Sequence, residues 1–422
     1  MYSAQDVEHN LFSRTTKGIK LGLDRMLKAA ASIGNPQDAY PSIHVAGTNG
    51  KGSTSAYIES MLREHGFKTG LFTSPHIVAF EERFIINGKP VTSQQWMDVY
   101  RTVETLIEDL RLTFFEAVTL IAFELFKREK VEWAVFETGM GGRLDSTNII
   151  LPKASSITTI AMDHMNFLGN DLVSIAREKL GIVKKGVPLV MTLPPQKEIM
   201  ELARAKCKEL NVPHFFVSGK DAMDIAEQEN KTTFYYKNHL FSTSMPGDYQ
   251  VENCLVALKT MEVLGFIDLD KAAQGIKKTF LPGRFQITQI QDRIVVFDVG
   301  HNPNAAGQLV KTLKSRFNAQ PLCIVAGIMK DKDIASILKH YCECASRLVL
   351  TRPAIDRAAE AAFLAQNVPP DFKPPVEVIP QVKDAVQSAF KGREDVICIT
   401  GSFYTVGEAM IALDVRPFAI QD

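Results

Sequence analysis

Short runs rich in apolar and β-branched residues alternate along this chain with longer stretches whose apolar positions recur at helical spacing. That alternation predicts parallel strands joined by helices. The first strand is expected at residues 42–46, followed by a glycine-containing loop and a helix to about residue 65. Further strands are expected at 69–73, 134–138, 156–161, 188–192 and 215–218, with helices at 93–110, 114–129 and 175–184. Residues 232–242 depart from this rhythm and predict a hairpin about Lys237-Asn238. Helical patterns return at 251–264 and 269–278, and Pro282-Gly283 then interrupts the series. A second α/β series follows, with strands expected at 294–298, 322–327, 348–351, 376–379 and 396–400. The expected fold class is α/β. A larger domain with a mostly parallel sheet occupies residues 1–284, and a smaller Rossmann-like domain occupies 285–422.

Composition narrows the function. Of the 422 residues, 48 are Lys or Arg and 48 Asp or Glu, so the formal net charge is zero and no basic stripe marks a nucleic-acid binder. The six cysteines form no C-x-x-C pair, which suits a reducing compartment. The first 14 residues are polar, so no signal peptide is read there. The most apolar stretch, 117–126, is broken by Glu124 and is too short to cross a bilayer. The expectation is a cytoplasmic protein that engages neither nucleic acid nor membrane.

Chemistry concentrates where predicted strands end. Gly47-Thr48-Asn49-Gly50-Lys51-Gly52-Ser53 joins a strand to a helix. Its glycines let the backbone approach an anion, amides at the helix start point at it, and Lys51 adds positive charge. The spacing departs from G-x-x-x-x-G-K-[ST], because Gly52 separates Lys51 from Ser53. Ser74, in Thr73-Ser74-Pro75-His76, offers a hydroxyl to Mg²⁺ or forms a plain Ser-Pro turn. Glu137 ends a strand and opens a glycine-rich loop through Asp145, a position suited to a metal ligand beside a nucleotide. A dinucleotide fingerprint is the competing reading, and it fails on the misplaced third glycine. Asp163-His164 follows another strand. Phe297-Asp298-Val299-Gly300-His301-Asn302-Pro303 places Asp298 and His301 where they can reach across an inter-domain cleft, with Asn302 as a helix cap.

Together these segments resemble the folylpolyglutamate synthase and dihydrofolate synthase family of Mur-type amide ligases. The matching pieces include GTNGKGS, TSPH, LTFFEA from Leu112, ETGMGGRLDSTN from Glu137, REKLGI from Arg177, PGRFQ from Pro282, DVGHNP from Asp298, MKDKD from Met329 and TGSFYTVGE from Thr400, in family order. The resemblance implies an ATP-dependent, Mg²⁺-requiring ligase that joins L-glutamate to dihydropteroate or a reduced folate through an acyl phosphate. By position it implies that Thr48, Asn49, Gly50, Lys51, Gly52 and Ser53 hold ATP phosphates, with Asn253, Arg284 and Asp298 completing the nucleotide site. It implies Mg²⁺ ligation by Ser74, Glu137 and His164, and carbamylation of Lys179. Catalytic roles fall to Lys51, Lys179 and, as an orienting or proton-accepting group, His301. Gly18, Ile19, Lys20, Leu21, Thr113, Phe114, Phe115, Glu116 and Asp145 match pterin-side positions. The family also implies a monomer. Rival expectations are a monofunctional folylpolyglutamate synthase, a muramyl-peptide ligase, an ATP-hydrolysing regulator and a hydride-transfer enzyme.

Overall fold

The computed structural model describes residues 2–14, 22–228, 231–318 and 320–418. Among them the α/β expectation is met by two large sheets. The first has eight strands in the order Lys89–Pro90, Phe84–Ile86, Thr69–Phe72, Trp133–Glu137, Ser42–Ala46, Ala154–Ile157, Leu189–Thr192, His214–Val217. All neighbours are parallel except the antiparallel pairs made by the first two, short strands of that order. The second has six strands in the order Gln286–Ile290, Arg293–Phe297, Val396–Thr400, Leu322–Ala326, Arg347–Arg352, Val376–Gln381, parallel except for its first pair.

The cores explain why these runs became strands. Ser42–Ala46 is buried at every position. Ile43 and Val45 pack on one face with Tyr57, Ile58 and Met61 of helix Lys51–Glu64 and with Leu255 and Leu258 of helix Asp248–Val263. On the other face Phe72 and Phe136 meet Ala117, Phe123 and Phe126 of helix Phe114–Arg128. Strands buried on both faces lose the alternation of a half-exposed strand, as parallel sheets do. The six-stranded sheet is likewise covered on both sides.

The hairpin is present as Lys231–Tyr236 and His239–Thr243, with Lys237 and Asn238 at φ 51° and 61°, the backbone of a tight two-residue hairpin turn. A third antiparallel strand, Met223–Gln228, extends it. Several boundaries move. The strand expected at 156–161 is Ala154–Ile157, because residues 158–161 bend away to hold the glycine loop. The helix expected at 175–184 is Leu172–Leu180, started by the Asp171 side chain accepting from the Ser174 amide. Helices Ala4–Ser13, Asp24–Ser32 and Lys197–Leu210 lie beyond the expectations, and the first two pack Val7, Leu11, Met26 and Ala29 into the core under the helices that cover the first sheet.

Every loop singled out by its chemistry follows the carboxyl end of a parallel strand, where open α/β sheets place ligands. Residues 47–50, 73–79, 138–145 and 158–164 leave the first sheet at Ala46, Phe72, Glu137 and Ile157. Residues 298–302 leave the second sheet at Phe297 and face them.

Candidate nucleotide and metal site

The glycine loop at residues 47–53 is held from below. The Thr48 amide donates to the Thr159 carbonyl at 2.7 Å, and the Thr48 hydroxyl pairs with both the carbonyl and the amide of Ala161 at 3.0 Å. The Thr158 hydroxyl donates to the Asn49 carbonyl at 2.7 Å. Gly50 has φ 87°, and a Cβ there would sit 2.2 Å from Asn253 Oδ1. Only glycine supplies both that backbone and that close approach. The helix that follows, Lys51–Glu64, has no side-chain cap, so its first amides stay available to an anion. Lys51 Nζ lies across the turn, donating to the carbonyls of Gly47 and Thr48 at 3.2 Å each. Behind the loop, Gln250 donates to Ser53 Oγ at 3.3 Å and accepts from Asn253 Nδ2 at 2.9 Å.

Glu137 is buried at the end of its strand, and one carboxylate oxygen accepts the Ser74 amide at 3.1 Å. Burial raises its pKa, while Lys51, the Ser74 amide and Arg284 oppose that rise. His164 follows with φ 50°, and burial lowers its imidazole to about 4, which keeps it neutral and able to ligate. Ser74, Glu137, Gly52 and Arg284 line one cleft together with Pro282 and Phe403.

Glu137 and Ser74 bring a buried carboxylate and a hydroxyl, oxygen donors of the kind a divalent cation takes, to one cleft, whereas His164 is not among the residues that line it. Among the described residues no group of three His, Cys, Asp or Glu side chains is gathered to hold a metal. A metal here therefore needs phosphate oxygens and waters to complete its shell, which is the habit of Mg²⁺ beside nucleotides.

The second sheet contributes the opposite wall. Asp298 Oδ2 accepts the Phe285 amide at 3.0 Å and Oδ1 the Gly300 amide at 2.8 Å, tying the end of strand Arg293–Phe297 to the peptide at 283–285. That connection aims Arg284 into the cleft. Its guanidinium stacks 5.0 Å from the Phe403 ring centroid, and its Nη1 is buried without a hydrogen-bond partner. Burial lowers its pKa, with Glu137 and Asp298 nearby opposing. An unsatisfied buried guanidinium is costly alone and suited to a phosphate. Across the cleft, Asn49 and Asn302 exchange side-chain hydrogen bonds at 3.2 and 2.9 Å.

The Mur ligase middle-domain model matches residues 45–261, and the Mur ligase glutamate-ligase-domain model matches 283–403. Dihydrofolate synthase/folylpolyglutamate synthase of Bacillus subtilis (strain 168) is 34% identical over 97% of this chain and 99% of its own. The chain belongs to the dihydrofolate synthase/folylpolyglutamate synthase family. It is an ATP-dependent ligase of that type. Solved structures agree. Escherichia coli FolC in complex with DHPP and ADP superposes with a TM-score of 0.86 at 28% identity, covering 98% of each chain. The bifunctional folylpolyglutamate synthase/dihydrofolate synthase of Yersinia pestis, complexed with AMPPNP and Mn ion, gives 0.85 at 29% identity, covering 98% of this chain and 99% of that one.

Lys179 is 3% exposed, and its Nζ donates to the Gly47 carbonyl at 2.7 Å. Burial first, and the like charge of Lys51 second, lower it to about 7. His301 Nδ1 lies 3.0 Å from the Val299 carbonyl. A carbonyl only accepts, so Nδ1 carries a proton, and Nε2 faces Asp163 Oδ2 at 3.6 Å.

The positions matched to the pterin side divide. Gly18, Ile19, Lys20 and Leu21 lie outside the described residues. Thr113 caps helix Phe114–Arg128 in a capping box with Glu116, whose carboxylate also pairs with Arg25 at 2.9 Å. Phe114 stacks on Phe12 at 4.6 Å, and Phe115 packs 5.9 Å from Phe72 and over Gly139. Asp145 is buried inside its own loop, accepting from Met140 at 2.9 Å and from the Thr147 hydroxyl and amide at 2.5 and 3.0 Å. The structure thus gives Asp145, Thr113 and Glu116 loop- and helix-holding bonds.

Sequence reasoning assigned Asp163 no role, yet it joins the loops of the two sheets. Oδ1 accepts Lys332 Nζ at 2.6 Å, and Oδ2 lies 3.6 Å from His301 Nε2 and 3.4 Å from Asn302 Nδ2. Burial acts to raise this carboxyl, but His301, His164 and Lys332 together hold it well below the usual range. The signal was present as MKDKD, which holds Lys332, but its partner was not readable.

Proposed function

We propose that this chain ligates L-glutamate to pterin carboxylates, making dihydrofolate from dihydropteroate and extending reduced folates, as a cytoplasmic monomer. The observation that carries the reading is the convergence of an uncapped helix start, Lys51 and the unpartnered Arg284 on a cleft that also holds Glu137. In the first step a carboxylate oxygen of the acceptor attacks the γ-phosphorus of ATP, and the bond to the ADP oxygen breaks. Lys51, the loop amides and Arg284 neutralise charge on the transferring group. Ser74, Glu137 and His164 would hold a divalent ion, which would supply Lewis-acid polarisation of the phosphates. The glutamate amine then attacks the acyl carbon, and the tetrahedral intermediate expels inorganic phosphate. His301 is the group assigned to orient the amine or take its proton.

Lys179 is the carbamylated lysine in this reading. Its ammonium and that of Lys51 both point at the Gly47 carbonyl. Carbamylation replaces that repulsion with an anion beside Lys51. Arg14 donates to the Leu112 carbonyl at 3.3 Å and Arg25 pairs with Glu116, so both flanks of residues 15–21 meet the segment matched to the pterin. The two sheets act as separate units hinged at 283–286, closing around ATP to exclude water.

The test measures labelled-glutamate incorporation into dihydropteroate and into tetrahydrofolate, each with ATP and Mg²⁺. Incorporation into both supports the bifunctional reading. Incorporation into tetrahydrofolate alone makes the enzyme a folylpolyglutamate synthase, and incorporation into neither sinks the proposal.

A further inference from the structure

Several polar contacts join the two sheets, and they differ in burial. Lys311 meets Asp248 at 2.6 Å with side chains 65% and 43% exposed, a screened surface pair worth little. The pair formed by Asp163 and Lys332 is 7% and 6% exposed. Asp163 comes from the loop after strand Ala154–Ile157 of the first sheet, and Lys332 from the loop after strand Leu322–Ala326 of the second. One carboxylate therefore gathers three groups of the second unit: Lys332 at 2.6 Å, Asn302 at 3.4 Å and His301 at 3.6 Å. Asn302 extends the contact to the phosphate loop through Asn49, and Asn304 also accepts from Asn49 at 2.8 Å. Asp163 itself is braced by accepting the His164 amide at 2.8 Å.

A buried ion pair whose partners sit on different units forms only when the units meet. Removing one partner leaves the other charge buried and unpaired. The pair is therefore a two-state element that is satisfied in the closed arrangement and solvated in an open one.

We propose that Asp163 is a positioning residue for ligation, a latch that holds Lys332, His301 and Asn302 of the second unit over the phosphate loop. It acts through those groups rather than by touching the reacting atoms. Its action rests on the ligase reading above, because the geometry it enforces is the one in which His301 and Arg284 face ATP.

The experiment compares wild type with Asp163→Ala, Lys332→Met and the double variant. It measures kcat and KM for each substrate, direct Kd for a non-hydrolysable ATP analogue, and the radius of gyration by X-ray scattering with that analogue bound. Asp163→Ala is expected to lower kcat roughly 100-fold, the scale of a misplaced constellation. The analogue's Kd is expected to weaken by no more than about tenfold, because the loop that binds the phosphates is intact and only the contribution of closure is lost. The double variant is expected to lose no more than the worse single, since both remove one interaction. The variants are expected to stay expanded with the analogue bound, while wild type contracts.

Losses that multiply in the double variant, a kcat near wild type in Asp163→Ala, or contraction equal to wild type would each overturn the proposal. If Asp163→Ala fails to fold, Asp163→Asn removes the charge and keeps the shape, and the same expectations and refutations apply to it. Failure of wild type itself to ligate glutamate would count against the ligase reading, whereas the scattering comparison tests the latch without any turnover.

Discussion

Replacing Lys179 by Met asks whether the buried amine beside the phosphate loop is there to be modified. An ammonium enclosed at 3% exposure, with one hydrogen bond to the Gly47 carbonyl and Lys51 nearby, is strongly disfavoured. A fall from 10.5 to about 7 corresponds to a burial cost on the order of 5 kcal/mol. The sign follows from which state holds the proton. Below pH 7 the amine is charged in both states and the folded protein carries the whole cost. Between 7 and 10.5 the unfolded chain keeps a proton that the folded chain has shed, so stability rises with pH. Above 10.5 the profile is flat. The unmodified enzyme should therefore gain stability across that window, and Lys179→Met should not. At about pH 8 most of the folded amines are neutral, against roughly one in a few hundred for an ordinary lysine. The neutral amine is the form that adds carbon dioxide. Urea unfolding across the window, magnetic resonance after equilibration with isotopically labelled bicarbonate, and glutamate ligation form one assay set. The expected result is a carbamate signal in wild type, none in the variant, and a loss of ligation of about 10- to 100-fold, partly restored by short carboxylates. Wild-type turnover by Lys179→Met, or no carbamate signal in active wild type, would refute the reasoning.

Arg284→Met should lower kcat on the order of 100-fold while leaving the melting temperature unchanged or higher, because it removes a buried donor that lacks a partner. Steady-state kinetics and calorimetry check the two halves separately. Gly50→Ala places a Cβ 2.2 Å from Asn253 Oδ1 at φ 87° and should cost about 1–3 kcal/mol, with weakened nucleotide binding by titration calorimetry. A chelator should abolish turnover, and added Mg²⁺ or Mn²⁺ should restore it. Glu137→Gln should raise the metal concentration needed for half-maximal rate, measured by metal titration.

What the chain made legible follows the range of the signal. Strand Ser42–Ala46, its glycine loop and the helix after it are local, since burial on both faces and the φ 87° of Gly50 leave marks within a few residues. The hairpin at Lys237-Asn238 was readable for the same reason. Helix Ala4–Ser13 was harder: it buries only Val7 and Leu11, too few apolar positions for a clear stripe. Strands Phe84–Ile86 and Gln286–Ile290 owe their state to antiparallel neighbours rather than to their own pattern. The site divides in the same way. Lys51, Glu137 and Asp298 end strands or start helices, so their places could be read along the chain. The assignment between Asp163 and His164 could not, because the groups that give Asp163 its work lie far along the chain, Lys332 being 169 residues away. The segment holding Lys332 reads as a charged loop, and Asn302 reads as a helix cap. Asn302 is indeed a cap, accepting from Ala305 at 2.9 Å, and the same side chain also reaches Asn49 and Asp163. A residue can satisfy its local role completely and still carry a second one across a cleft. Short-range reading is therefore most incomplete at the contacts between the two sheets, where the closed site is assembled.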